Sequence, residues 1–346
     1  MRRLETIFIV LGLAFYAWLI HRLGPHSIMR YVHMVGWGLA ATVTLEAAAR
    51  VANTLGWRLS IIRCPAELTF SRLFAARIAG EAIDYTTPSA QLGGQFVMAM
   101  MVRRELAIAA GLASVIIAAL AEAFGQIGFV ILALLISLDL ASSVRELFWP
   151  IVAGLTVTIG LAASFFYIQT KRPFFYLWKA AAKLNLPAAT VAELGRSSAQ
   201  ADQLLLDFYE HHRLRLLACC LCYLFAWSLG PLEIYWLLGF LGQARSLEVV
   251  LLTEALGVLL ERATFLIPGK LVSQEGGKAL ILSMLGYRPG VGFAVGLLRR
   301  IKELIWVAFG LAIFGIYRVG ETRGRLITSP LGSDLSSTAT MARSSD

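Results

Sequence analysis

Charge is what this chain has least of. Of its 346 residues, 15% are Asp, Glu, Lys or Arg and 58% are hydrophobic, against roughly 25% charged in an average soluble protein. That scarcity argues against a soluble enzyme or a solvated, disordered scaffold and points to the bilayer. Cysteine is also scarce: Cys64, Cys219, Cys220 and Cys222 show no metal-ligand spacing, and three of them crowd one apolar helix. They read as small packing residues. The five histidines fall outside the apolar runs, and His211-His212 beside Arg213 reads as interfacial. There is no His-Glu-x-x-His and no Gly-x-Ser-x-Gly. Gly277-Lys278 is not a phosphate loop, because Val272 stands at the first glycine position and Ala279 replaces the Ser or Thr. The expectation is therefore no enzymatic activity, no cofactor and no metal.

What the chain has instead is apolar length. Crossing the hydrocarbon takes about 20 apolar residues per helix, and the runs account for six spans plus shorter pieces. The reading is an all-α polytopic membrane protein. Spans are expected at about 4–20, 35–55, 106–136, 147–170, 214–240 and 291–317. Met1-Arg2-Arg3 ahead of the first run has the charge order of a signal sequence, but no Ala-x-Ala site follows, so it reads as a retained helix. A polar link with Gly24-Pro25 follows it. Between the fourth and fifth spans lies the longest polar segment, 171–215. It opens with basic residues among Phe174, Phe175, Tyr176 and Trp178, the composition of a helix lying at the headgroup level. The domain reading is an integral membrane domain over 1–320, with repeat one about 35–136, an interfacial arm at 171–215 and repeat two about 214–317. A disordered Ser/Thr-rich tail over 321–346 is expected beyond it.

The formal net charge is +9. Because the Lys and Arg lie mostly in loops beside apolar runs, the excess reads as a device for orientation against anionic lipid, not for nucleic acid. Most of them fall on the side shared by the N-terminus, 57–72, Arg103-Arg104, the arm and the tail. The positive-inside rule then puts both termini in the cytoplasm. Arg299, Arg300 and Lys302 near the expected outer end of the last span run against that placement.

Two stretches do not fit a spanning helix, and they resemble each other. The first runs from Gly80-Glu81 through Asp84 to Pro88, then Gly93-Gly94-Gln95; the second runs from Glu261-Arg262 to Pro268, then Glu275-Gly276-Gly277-Lys278. In both, a glutamate precedes a proline by seven positions and a Gly-Gly pair follows. The flanking apolar pieces are each too short to cross. Two re-entrant, broken-helix hairpins in an inverted repeat account for the lengths, and irregular backbone at that depth is tolerated when it is buried in protein or lines a wet cavity. A half-helix beginning near Gly93-Gly94 or Gly276-Gly277 would aim free N–H groups at an anionic group such as a lipid phosphate. Glu81, Asp84, Glu261 and Glu275 would line the same region, to bind a cationic headgroup, carry a proton, or pair with Arg77, Arg262 or Lys270. In the second span Glu46 and Arg50 lie four apart on one face, as a structural or a functional pair; Arg299 and Arg300 are placed to pair with Glu303.

These residues, together with Leu297-Leu298-Arg299-Arg300, resemble the flippase-like membrane domain of lysylphosphatidylglycerol synthases and its stand-alone relatives, over roughly residues 5–318. The resemblance implies movement of a phospholipid or related polar lipid between leaflets of the bacterial inner membrane, with some relatives accompanying hopanoid-lipid synthesis. The candidate substrate-binding set is then Glu81, Asp84, Pro88, Gly93, Gly94, Glu122, Glu261, Arg262, Pro268, Glu275, Gly276, Gly277 and Arg300. Partners expected are membrane lipids with an anionic phosphate headgroup, together with a lipid-synthesis enzyme or a second copy of the chain. The alternative is a non-transporting accessory protein that docks such an enzyme through the arm. Gln95 stands where the family carries an acid, and no aminoacyl-transferring domain follows the last span, so lipid aminoacylation is not expected.

Overall fold

The computed structural model describes residues 33, 35–87, 92–143, 148–183, 187–263 and 276–327. The expected span at 4–20, the link at Gly24-Pro25, Pro88, Pro268, Glu275 and the tail after 327 lie outside the described residues, as does the side chain of Arg262.

Every described element is helical. In chain order they are α1 (Trp37–Ser60), α2 (Phe70–Thr86), α3 (Leu92–Met101), α4 (Ile108–Ile136), α5 (Leu138–Ser143), α6 (Phe148–Thr170), α7 (Pro173–Ala181), α8 (Ala188–His211), α9 (Arg213–Phe240), α10 (Leu247–Ala263), α11 (Gly277–Met284) and α12 (Pro289–Ile327). By length and composition, four of them can cross a membrane: α4, α6, α9 and α12. At 1.5 Å per residue, the 29 residues of α4 reach about 43 Å, enough for a tilted crossing of hydrocarbon about 30 Å thick. α1, at 24 residues, matches the expected second span in length but carries Glu46, Arg50 and Arg58. α12 runs to Ile327, past the boundary expected at residue 320.

Local chemistry sets several ends. The Thr69 side chain accepts from the Arg72 amide at 3.3 Å and caps α2. Arg215, at the start of α9, donates to the carbonyls of Ile61 and Ile62 at 2.7 and 2.9 Å, placing a cation on the negative end of α1. In the arm, Arg172 takes a left-handed φ of 54° and turns the chain into α7. The Asp202 carboxylate from α8 then accepts from the Phe174 and Phe175 amides at 3.0 and 2.9 Å. Within this segment α7 packs on α8, with Phe174, Ala201, Leu205 and Phe208 buried within the main apolar cluster.

The first broken stretch is a helix pair, α2 and α3, whose arms touch at glycines. A Cβ on Gly80 would meet the Gly94 carbonyl oxygen at 2.7 Å, and one on Gly94 would overlap the Gly80 oxygen and the Asp84 carboxylate. Lipid tails are as apolar as leucine, so helices in a bilayer associate through such close packing and through polar contacts.

Around this pair the long helices pack in a patterned way. α1 lies along α9; α2 packs on α12, and α10 packs on α4. α3 sits between α2 and α4, while α11 sits between α10 and α12.

Candidate functional site: a buried chain of alternating charges

Charges that the sequence scatters over seven helices meet in one place. Starting at α4, Glu122 contacts Arg77 of α2 at 3.2 Å, and Arg77 contacts Glu81 one turn along at 2.8 Å. Glu81 pairs with Arg50 of α1, which reaches Glu46 at 3.2 Å. Lys302 of α12 stands between Glu46 at 2.9 Å and Glu233 of α9 at 2.7 Å. Arg299 links Glu233 at 3.1 Å to Glu254 of α10, with contacts of 2.5 and 3.0 Å to the two oxygens of that carboxylate. Lys278 of α11 ends the chain on Glu254 at 2.9 Å. Acids and bases alternate throughout, five of each, so the chain is neutral as a whole.

Alternation is what the surroundings require. Arg77, Glu233, Glu254, Lys278 and Lys302 are all buried. A single charge at the middle of a helix in a bilayer costs about 2.5–3.5 kcal/mol on insertion scales, and a buried ion keeps its charge only if paired and hydrogen-bonded. Sharing each interior member between two neighbours answers that demand along the whole series. Tyr223 of α9 adds its hydroxyl, which accepts from Arg77 at 3.2 Å, and the Arg50 guanidinium lies 4.8 Å from the centre of the Trp306 ring.

The chain borders a cavity of about 170 Å³. Six acids line it, Glu46, Glu122, Glu233, Glu254, Glu261 and Glu303, against three bases, Lys278, Arg299 and Lys302. The walls therefore hold an acidic surplus. Glu261 lies near Lys278, and Glu303 near Arg50 and Arg299. No cluster of His, Cys, Asp and Glu arranged to hold a metal occurs among the described residues.

The residues expected from sequence divide into two groups. Glu122 and Glu261 line the cavity, and Glu81 sits in the charge series. Asp84, Gly93, Gly94, Gly277 and Arg300 do not line it. Asp84 accepts from the Gly94 amide at 2.7 Å, so in this structure the chain's own carboxylate stands at the α3 N-terminus, where a lipid phosphate was expected. Arg300, fully buried, donates to the Tyr85 hydroxyl of α2 and ties α12 to the first hairpin. Gly277 opens α11 and is buried, whereas Gly276 just before it is exposed. Arg299 lies near Glu303, as its spacing suggests, and it also bridges α9 and α10. It lies ten residues into α12, about 15 Å along the axis. Arg299 and Lys302 are therefore interior charges, not loop charges.

Sequence reasoning left Glu46, Arg50, Arg77, Glu233, Glu254, Lys278, Arg299, Lys302 and Glu303 out of the site. The available signal was their position: an ionisable residue inside an apolar run marks a functional region by default. Applying that rule to every span would have collected the set, although not its pairing.

Helices of spanning length around a charge-lined interior define a multi-pass α-helical membrane protein. Comparison with protein families gives the particular one: residues 6–312 match the lysylphosphatidylglycerol synthase TM region, and the chain belongs to that family. No curated protein and no solved structure matches it.

Proposed function

We propose that this protein is a lipid translocase, which holds the polar headgroup of a phospholipid in the charged cavity while the acyl chains stay in hydrocarbon. The observation that carries the reading is the neutral ion-pair series beside a cavity with surplus acid. The cavity thereby offers both signs of charge to a headgroup, six carboxylates against three cations, at a depth where ionisable side chains mark a functional region. The phosphate would be met by Lys278, Arg299 and Lys302, and a headgroup amine by Glu122, Glu261 and Glu303. A phospholipid bearing an amine fits both sets better than a bare anionic one.

The reading places the protein in a bacterial inner membrane with both termini in the cytoplasm, and takes α1–α4 and α9–α12 as two copies of one unit. The matching packing of α2 on α12 and α10 on α4 supports the last point. No nucleotide motif stands in the sequence, so the driving force would come from a gradient, the membrane potential or removal of the lipid downstream.

The experiment is leaflet-resolved transport in reconstituted vesicles, using headgroup-labelled phosphatidylethanolamine-type and phosphatidylglycerol-type lipids and chemical quenching of the outer leaflet. The proposal expects movement above protein-free vesicles, faster for lipids that keep an amine. Movement no faster than in protein-free vesicles for every lipid tried would overturn it.

A further inference from the structure

Two copies of one unit should make equivalent contacts, and at one pair of seams they do not. The contact of α9 with α4 corresponds, under exchange of the copies, to that of α1 with α12. The first seam is tightly shut: a Cβ on Gly125 of α4 would meet the Tyr223 Cβ at 2.7 Å, the Leu224 amide nitrogen at 2.8 Å and the Cys220 carbonyl oxygen at 3.0 Å. Only glycine allows two helix backbones to approach so closely. The second seam is nearly unpacked. Its contacts gather at the inner end, where Lys302 meets Glu46 and Arg50 meets Trp306. Towards the start of α1 it parts into an apolar groove of about 490 Å³, lined by Gly36, Trp37, Leu39, Ala40, Val43 and Ile305.

The groove and the charged cavity share their two walls. On α1, Val43 lines the groove and Leu45, Glu46 and Ala49 line the cavity; on α12, Ile305 lines the groove and Arg299, Lys302 and Glu303 line the cavity. A molecule lying across both would have a polar end among charges and a hydrocarbon part among Trp37, Ala40, Val43 and Ile305. Trp37, 91% exposed, is the amphipathic type of side chain that settles at a membrane interface.

We propose that the α1–α12 seam is the lateral port of the cavity and binds one acyl chain of the lipid whose headgroup the cavity holds, with α4–α9 as the closed counterpart port. The inference rests on the translocase reading for the headgroup's place, but the acyl site itself can be tested without transport. In this structure the α4–α9 seam is closely packed, and the α1–α12 seam is held at Lys302–Glu46 and Arg50–Trp306.

The test uses a phospholipid with a photoreactive acyl chain in vesicles holding the full chain, and maps the labelled residues by mass spectrometry. Expected labelling at Trp37, Ala40 and Val43 is several-fold above that at Leu135, a lipid-exposed position on α4. Ala40→Trp and Val43→Trp, which fill the groove, should each cut groove labelling and lipid movement at least tenfold, with Leu135 labelling unchanged as the control for folding. Groove labelling no higher than Leu135, or labelling that survives both tryptophans, overturns the port. Cross-linking of Ala40→Cys to a cysteine placed within residues 4–20, with no lipid label in the groove, also overturns it. Groove labelling that Ala40→Trp abolishes, in a protein that moves no lipid, upholds the acyl site while removing the translocase reading. Lipid movement that continues in both tryptophan variants sinks the port and leaves the translocase reading standing.

Discussion

Removing Arg299 tests whether the alternating charges act as one unit. Arg299→Met deletes three contacts, of 2.5 and 3.0 Å to Glu254 and 3.1 Å to Glu233, and leaves five acids facing four bases. Two estimates of the cost differ enough to be told apart. If the contacts act one by one, double-mutant cycles in membrane proteins average about 0.6 kcal/mol per polar contact, which makes about 2 kcal/mol for three. If the loss strands a buried charge, the cost is about 3–5 kcal/mol. The series predicts the larger value and a specific rescue. Adding Glu233→Gln restores neutrality on both sides of the gap, because Lys302 keeps Glu46 and Glu254 keeps Lys278. The double variant should therefore lie within about 1 kcal/mol of the parent chain, a coupling of the size seen between residues in one network. Reversible unfolding in mixed detergent micelles reads both numbers. A double variant as unstable as the sum of its singles would refute the reasoning.

Three further outcomes follow from local geometry. Asp84→Ala should cost about 0.5–2 kcal/mol through loss of the carboxylate on the Gly94 amide, and Gly94→Val about 1–3 kcal/mol or more, because its Cβ has no room beside Gly80; the same unfolding assay measures both. Gly125→Leu should cost about 1–3 kcal/mol or pry α4 from α9, seen as new accessibility of Cys220 to a thiol reagent. In the arm, burial outweighs the two amide donors and raises the Asp202 carboxyl above its ordinary value. The folded arm thus holds that proton more tightly than the unfolded one. Asp202's contribution is therefore greatest at acid pH, and it declines as pH rises from the ordinary value through the raised one. Amide exchange at Phe174 and Phe175, corrected for intrinsic rates, should show protection falling over that window and a flat profile in Asp202→Asn; protection that rises with pH would contradict this.

Much of the fold was legible because bilayer-spanning helices announce themselves by length and composition. The run at 106–136 became α4 over Ile108–Ile136, 147–170 became α6 over Phe148–Thr170, and 214–240 became α9 over Arg213–Phe240. Pro231 did not interrupt α9, as neighbouring helices and side chains in membranes can satisfy the carbonyl freed by a proline. The site was less legible, for a physical reason. The sequence reading looked for chemistry within each broken stretch, whereas the structure joins charges from seven helices. Glu254 and Arg299 are 45 positions apart, Glu46 and Lys302 256 apart, and nothing local marks such partners. Asp84 carries the sharpest lesson. The sequence leaves it open between headgroup binding, proton transfer and pairing with a base, and the structure adds a partner that spacing does not mark, the Gly94 amide ten positions on.

The central claim is that the cavity's carboxylates handle a lipid headgroup, and it is tested most directly by Glu122→Gln/Glu261→Gln in leaflet-resolved vesicle transport. Each glutamine keeps the size of the side chain and removes one charge. A charge-assisted hydrogen bond is worth about 1.5–3 kcal/mol, so the account predicts that movement of an amine-bearing phospholipid slows by about 10- to 100-fold. Asp84→Asn, which lies off the cavity, should stay near the parent rate. Equal transport by the parent chain and the double glutamine variant, in equally folded protein, would contradict the account.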